Sequence, residues 1–317
     1  MGMRYFLPWV LFSSFGMAFQ TNPATYQTAL KQPEATSLFG KWLHAISFPA
    51  DTKARLDSNL AVAKSDFDKD PENADNIIWY GRRLAYLWRY RDAIDVFTKG
   101  IEKHANDPRM FRHRGHRYIT VREFSKAVDD LTKAAQLIKG KPDDVEPDGQ
   151  PNRLNIPTGT LHSNIWYHLG LAYYLRGEFG KALVAYLECM KVSNNPDMLC
   201  ATSDWLYMTY QRLGRKKEAQ QVLRPITKDM NIIENTAYHK RLLMYKGELP
   251  TDSLLNTKEA TDLDIATQGY GVANWYFYTG QKEKALELFQ RVIEGTSWAA
   301  FGYIAAEADL KRILAAK

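Results

Sequence analysis

The chain has 317 residues, 45% hydrophobic and 25% charged, with 42 Lys+Arg against 36 Asp+Glu for a formal charge of +6. That balance is globular, which excludes disorder and collagen-like order, and the mild positive excess does not by itself demand nucleic acid. Two cysteines exclude a disulfide-dense scaffold and a four-cysteine zinc site.

At the start of the chain, Arg4 precedes an almost wholly apolar run from Tyr5 to Phe15, and Gly16-Met17-Ala18 supplies small residues before Phe19. A basic start, a short apolar run and a small-residue exit read as a signal peptide over 1–18, cleaved near Ala18. The run is shorter than the roughly 20 residues a spanning helix needs. The expectation is a periplasmic or secreted protein with no membrane segment after cleavage. Retention of the N-terminal segment as an anchor stays open, because Pro8 and the aromatic residues blur the cleavage site.

Residues 19–72 read as an extension ending in an amphipathic capping helix, with Leu56, Leu60, Ala63 and Phe67 on one face between Asp51 and Phe67. A period then begins. Gly81 and Gly115 are 34 residues apart, as are Ala93 and Ala127, and Gly170 precedes Ala182 by the same 12 residues that separate Gly81 from Ala93. Large residues recur beside them at Phe97, Leu131, Tyr186 and Phe289. Each unit reads as two antiparallel helices joined by a short polar turn, such as Arg89-Tyr90-Arg91-Asp92 or Arg176-Gly177-Glu178-Phe179. Small residues let the two backbones approach and large ones fill the gaps. Asp107-Pro108 and Asn195-Pro196 end one pair and start the next.

The run Trp166-x2-Leu169-Gly170-x2-Tyr173, with Ala182 following at the right distance, resembles the tetratricopeptide repeat. The resemblance implies an all-α, right-handed superhelical solenoid of such helix pairs, with first helices lining an inner groove. It divides the chain into repeats 1–2 at 73–140, repeats 3–4 at 162–232, a degenerate repeat at 233–265, a further repeat at 266–299 and a C-terminal capping helix at 300–317. Departures are Arg114 at a usually apolar position and Tyr207 in place of a first-helix glycine. The period is broken at 141–161, where Pro142, Pro147, Pro151 and Pro157 accompany Asp143, Asp144, Glu146 and Asp148. This insertion is expected to be a loop, functional or disordered.

The densest chemistry is Arg109-Met110-Phe111-Arg112-His113-Arg114-Gly115-His116-Arg117. At helical spacing Arg109, Arg112, His113 and His116 share a face, and guanidinium groups suit carboxylates. With Arg82, Asn164, Tyr167 and His168 they form the expected groove site, which takes an acidic peptide segment of a partner protein. Arginines would pair with carboxylates, His and Asn would hydrogen-bond, and Tyr167 would pack. A solvated basic face is the competing reading. The acidic insertion could also fold back and cover the groove. The family's carboxylate clamp needs Lys and Asn at set positions in three consecutive units; Ile78, Arg82, His113, Asn164 and His168 stand there instead, so chaperone binding is not carried over.

No metal site is expected, because arginines beside His113 and His116 oppose a cation and no H-e-x-x-H pattern occurs. Catalytic signatures are missing as well, and no cofactor is expected. A disulfide between Cys189 and Cys200 and a pair of free buried thiols both stay open. The reading is a non-catalytic scaffold or adaptor that binds protein and not nucleic acid. Two alternatives remain: an enzyme using the His/Arg groove on a small anion, and an assembly part binding by its convex face.

Overall fold

The computed structural model describes residues 32–255 and 261–316. The expected signal peptide and the first part of the extension lie outside the described residues. Among those described, a short hairpin of β1 (Ala35–Thr36) and β2 (Trp42–Leu43), paired Ala35 to Leu43, precedes an all-helical chain.

The helices follow the expected pairing. Helix α1 (Ala50–Lys69) packs on the first pair, α2 (Ala74–Tyr86) with α3 (Tyr90–Lys103). Then come α4 (Pro108–Thr120) with α5 (Phe124–Leu137), α6 (Leu161–Leu175) with α7 (Phe179–Val192), and α8 (Pro196–Arg212) with the short α9 (Lys216–Val222). Helix α10 (Thr236–Tyr245) packs on α8 and on α12 (Asp262–Tyr278), and α13 (Lys282–Glu294) pairs with α12. Of the second helix expected in the degenerate unit, the described residues hold one turn, α11 (Asp252–Leu255). The chain ends in α14 (Phe301–Ala315).

Helix starts are written locally. Asp107 and Asn195 cap α4 and α8 by accepting from the Arg109 and Met198 amides, each with proline at the first helical position. Thr160 with Ser163, and Thr261 with Asp264, form reciprocal capping boxes. In three of the pairs, a large second-helix residue sits 16 positions after a first-helix glycine. A Cβ on Gly81 would lie 2.5 Å from the Phe97 ring, one on Gly115 2.8 Å from Leu131, and one on Gly170 2.7 Å from Tyr186. Arg114, at an apolar position, uses the same spacing differently: its guanidinium binds Asp130 bidentately at 2.7 Å through both Nε and Nη2. Tyr207 stacks on Tyr245, with ring centroids 4.4 Å apart.

The turns inside pairs need one residue at positive φ. Gly177, Gly214 and Gly280 supply it in later units, at 79°, 72° and 93°. In the first two units Trp88 (59°) and Arg122 (68°) occupy it, although a side chain there costs roughly 1–2 kcal/mol. Both side chains are held by the C-terminal segment. The Trp88 ring meets Trp298 edge-on at 4.9 Å, and Arg122 pairs with Glu307.

Helix α14 does more than cap the end. Besides packing on α12 and α13 it reaches back to α6. Arg312 Nη1 donates to the Leu175 carbonyl at the end of α6. Asp309, fully buried, accepts from Arg212 at the end of α8 and from the Tyr270 hydroxyl. The N-terminal hairpin docks on the same helix, with the Leu38 amide donating to Glu307 at 2.8 Å. Groove positions of the later units are therefore internal. Tyr174, Asp204, Tyr270 and Asn274 are buried in this network and beside Arg241, not open to a ligand.

Candidate functional site

What remains of the groove is a cavity of about 350 Å³ between α2, α4, α6 and the insertion. Its basic wall is α4. Arg112 and His113 are buried there, and His116 and Arg117 follow one turn on. Arg109 is not part of it. At the second helical position its guanidinium lies beside the capping residue, so Asp107 takes Nε and Nη2 and Asp75 takes Nη1. Those carboxylates raise its pKa and hold it outside this cavity.

The acidic insertion lies on this wall. It enters through a single antiparallel bridge of Val145 with Thr160, and the Asp143 carboxylate accepts from the His162 amide and the Thr160 hydroxyl at the start of α6. Arg112 Nη2 then meets Glu146 Oε1 at 2.9 Å. Arg82 Nη2 donates to the Pro147 carbonyl and Arg83 Nη1 to the Gly149 carbonyl, both at 2.7 Å. Gly149 passes so close that a Cβ there would stand 1.8 Å from the Tyr86 hydroxyl. The insertion therefore covers the groove, one of the outcomes left open by the sequence.

Asn164, Tyr167 and His168 of α6 close the other side. His168 donates from Nδ1 to the Asn164 carbonyl, which fixes its tautomer. The His116 and His168 rings lie 4.2 Å apart, and Phe301 of α14 packs on both. His113 stacks on Phe97, and its Nδ1 accepts from Arg112 Nη1 at 3.0 Å. Tyr167 and Tyr238 share a hydroxyl contact of 3.0 Å. Burial, reinforced by Arg112 and Arg117, holds all three histidines well below the ordinary histidine range. They are neutral hydrogen-bonding groups at physiological pH.

Seven of the eight expected residues thus meet at one cavity: Arg82, Arg112, His113, His116, Asn164, Tyr167 and His168. Arg117 of the same basic run was not among the expected site residues, although it lies one turn after His113. It lines the cavity with no carboxylate partner among the described residues, its guanidinium over the Tyr90 ring at 5.6 Å, and burial lowers its pKa to about 10. Glu234, Tyr238 and Phe301 arrive from distant segments and had no local signal. Three guanidiniums face the cavity, and among the described residues no group of three or more metal-ligating side chains converges.

The disulfide left open by the sequence is not formed. Cys189 and Cys200 are free and buried; the Cys189 thiol lies 3.4 Å from the Ser163 carbonyl oxygen and 3.2 Å from the Thr202 hydroxyl. Burial pushes the two thiols up to about 11 and about 12.

The tetratricopeptide repeat family matches residues 163–196, which are the α6/α7 pair, and again 269–294, within α12/α13. The chain carries tetratricopeptide repeats. Among curated proteins it is similar to the BBSome complex member BBS4 of Bos taurus, 26% identical over 222 residues, covering 69% of this chain and 36% of the relative. The Mus musculus counterpart is 22% identical over 194 residues, 60% of this chain and 32% of the relative. This tetratricopeptide-repeat chain spans about a third of the length of the curated relatives it matches. Among solved structures it is similar to a tetratricopeptide repeat protein from Parabacteroides merdae, 14% identical, covering 80% of this chain and 94% of that one at a TM-score of 0.47. It is also similar to YrrB, a TPR protein with an unusual peptide-binding site, at 16% identity, 78% and 97% coverage and a TM-score of 0.42.

Proposed function

We propose that this tetratricopeptide-repeat protein is a non-catalytic adaptor that binds an acidic segment of a partner protein on the basic face of α2 and α4. The repeat architecture is that of a protein–protein interaction scaffold. One observation carries the finer reading: the chain's own insertion lies on that face as an extended acidic segment, with Glu146 on Arg112 and the Pro147 and Gly149 carbonyls on Arg82 and Arg83. The face already holds the kind of segment it is proposed to take from a partner. The buried arginines give planar donors to carboxylate and carbonyl, and the neutral histidines add hydrogen bonds. In the unbound chain the insertion competes with the partner, so binding exchanges one acidic segment for another. The work is proposed to occur in the periplasm or outside the cell; the Arg4 start, the apolar run and the small-residue exit of 1–18 support export, and no described helix is long and apolar enough to cross a membrane.

The test is a titration of a labelled peptide with the sequence of residues 141–150 into the full chain and into a variant whose residues 142–150 are replaced by a Gly-Ser linker. The expected result is weak binding to the first and at least about tenfold tighter binding to the second, because the intramolecular competitor is gone. Adding Arg112→Glu to the replaced chain should abolish the gain. Equal affinity for all three proteins contradicts the reading.

A further inference from the structure

With the insertion in place, the cavity behind it is still lined by polar atoms of two opposite kinds. Arg112 is buried, yet its Nε has no partner, an unanswered donor on α4. Arg117 lines the same cavity with no carboxylate partner among the described residues. Facing them from the insertion, Glu146 Oε2 and Asp148 Oδ2 are buried acceptors without a partner. His116 Nδ1, also unpartnered, lies on the α4 side. Three charged side chains from two segments, Arg112, Glu146 and Asp148, thus each bring a buried, unused hydrogen-bonding atom to one cavity, and leaving such groups unpaired is costly, most of all where they are charged.

We propose that this cavity binds a small zwitterion, a molecule carrying one carboxylate and one ammonium group such as a free amino acid. The carboxylate would meet Arg117 and Arg112 Nε, and the ammonium would meet Glu146 Oε2 and Asp148 Oδ2. The chemistry of the two ends selects against simpler anions. Acetate presents only acceptors and phosphate adds only uncharged hydroxyl donors, so either answers the arginines but sets its negative charge against two carboxylates. A hydroxy acid offers one uncharged donor where two carboxylate oxygens wait. The 350 Å³ volume lies at the lower end of small-ligand cavities, roughly 300–1,000 Å³. Tyr167 and Phe301 supply apolar wall for a side chain. The insertion in this role is half of the binding site, and a bound zwitterion ties it to α4.

This inference goes beyond the partner reading and fails separately from it. Calorimetric titration of the full chain with L-alanine and L-glutamine, against lactate and inorganic phosphate, is the test. The expected result is binding of at least one amino acid, with lactate and phosphate at least about tenfold weaker, a difference near 1.4 kcal/mol. Arg117→Met and Asp148→Asn should each weaken the amino acid at least about tenfold, as expected for loss of a charge-assisted hydrogen bond, with circular dichroism confirming that both fold. Replacing 142–150 by a linker should abolish amino-acid binding, whereas the same change strengthens acidic-peptide binding under the partner reading. Should a variant fail to fold, a thermal midpoint of the unaltered chain that rises with L-glutamine but not with phosphate carries the same information. Failure of both amino acids to bind or to raise the midpoint, or phosphate binding as tightly as they do, overturns the proposal.

Discussion

Glu307 of α14 and Arg122, 185 residues earlier in the chain, form a buried ion pair, Nε to Oε2 at 2.9 Å. The pair fastens the C-terminal helix to the turn between α4 and α5. Its two ends are further used: Arg122 Nη2 donates to the Trp298 carbonyl, and Glu307 Oε1 accepts from the Leu38 amide. With 3% and 1% of the side chains exposed, solvent screening is slight. Removing one partner leaves an uncompensated buried charge, so Glu307→Ala should lower unfolding stability by about 3–5 kcal/mol. The double change Arg122→Met/Glu307→Leu should cost less than the sum of its parts. Urea unfolding of the unaltered chain, Arg122→Met, Glu307→Leu and the double variant measures this coupling, and additive losses would contradict it.

The three buried histidines set a pH dependence. Their folded-state pKa values lie well below 6.5, owing to burial and to Arg112 and Arg117, while the unfolded chain titrates near 6.5. Below that pH the unfolded state binds more protons than the folded state, so stability is full above about pH 7 and declines on acidification. Each histidine contributes a slope of up to about 1.4 kcal/mol per pH unit in that window. Because Glu146 and Asp148 line the same cavity, the informative quantity is the difference between the unaltered chain and His116→Gln/His168→Gln. The variant should lose less stability between pH 7 and 5.5, and parallel curves would count against the assignment.

Helix α14 is seated backbone to backbone on α12. A Cβ at Gly302 would stand 2.1 Å from the Ala266 carbonyl oxygen, and a carbonyl of a packed helix cannot move aside as a side chain does. Gly302→Ala is expected to destabilise by about 1–3 kcal/mol or more through overpacking. Gly180, at the start of α7, has open space where its Cβ would be, and Gly180→Ala should be neutral or stabilising by up to about 1 kcal/mol. Thermal midpoints of the two variants moving together would refute the distinction.

The cysteines supply a chemical probe of the core. With both thiols buried and held largely protonated, a water-soluble aromatic disulfide reagent should label neither at pH 8 until denaturant unfolds the chain. Rapid labelling of the native protein would show that α7 and α8 open readily.

The repeat itself was legible because its causes are local. Gly81 with Phe97, Gly115 with Leu131 and Gly170 with Tyr186 are set by spacing inside one helix pair, and so are the caps at Asp107 and Asn195. Most of the cavity wall was legible for the same reason, since Arg112, His113 and His116 fall on one helical face. Arg109 was not, because its fate is decided by Asp107 two residues earlier and by Asp75 on the neighbouring helix. The placement of α14 had no local sign. Glu307 and Asp309 read as solvent-side charges of a capping helix, and only Arg122 and Arg212, brought from distant units, make them buried residues.

The exchange of segments at the basic face is tested most directly by amide hydrogen exchange on the full chain, with and without saturating acidic peptide. The account predicts faster exchange across 143–150 as the insertion is released, together with slower exchange in α4 and unchanged rates in α13. A peptide that binds while 143–150 keeps its protection, and that slows exchange only on the second helices of the pairs, would contradict it.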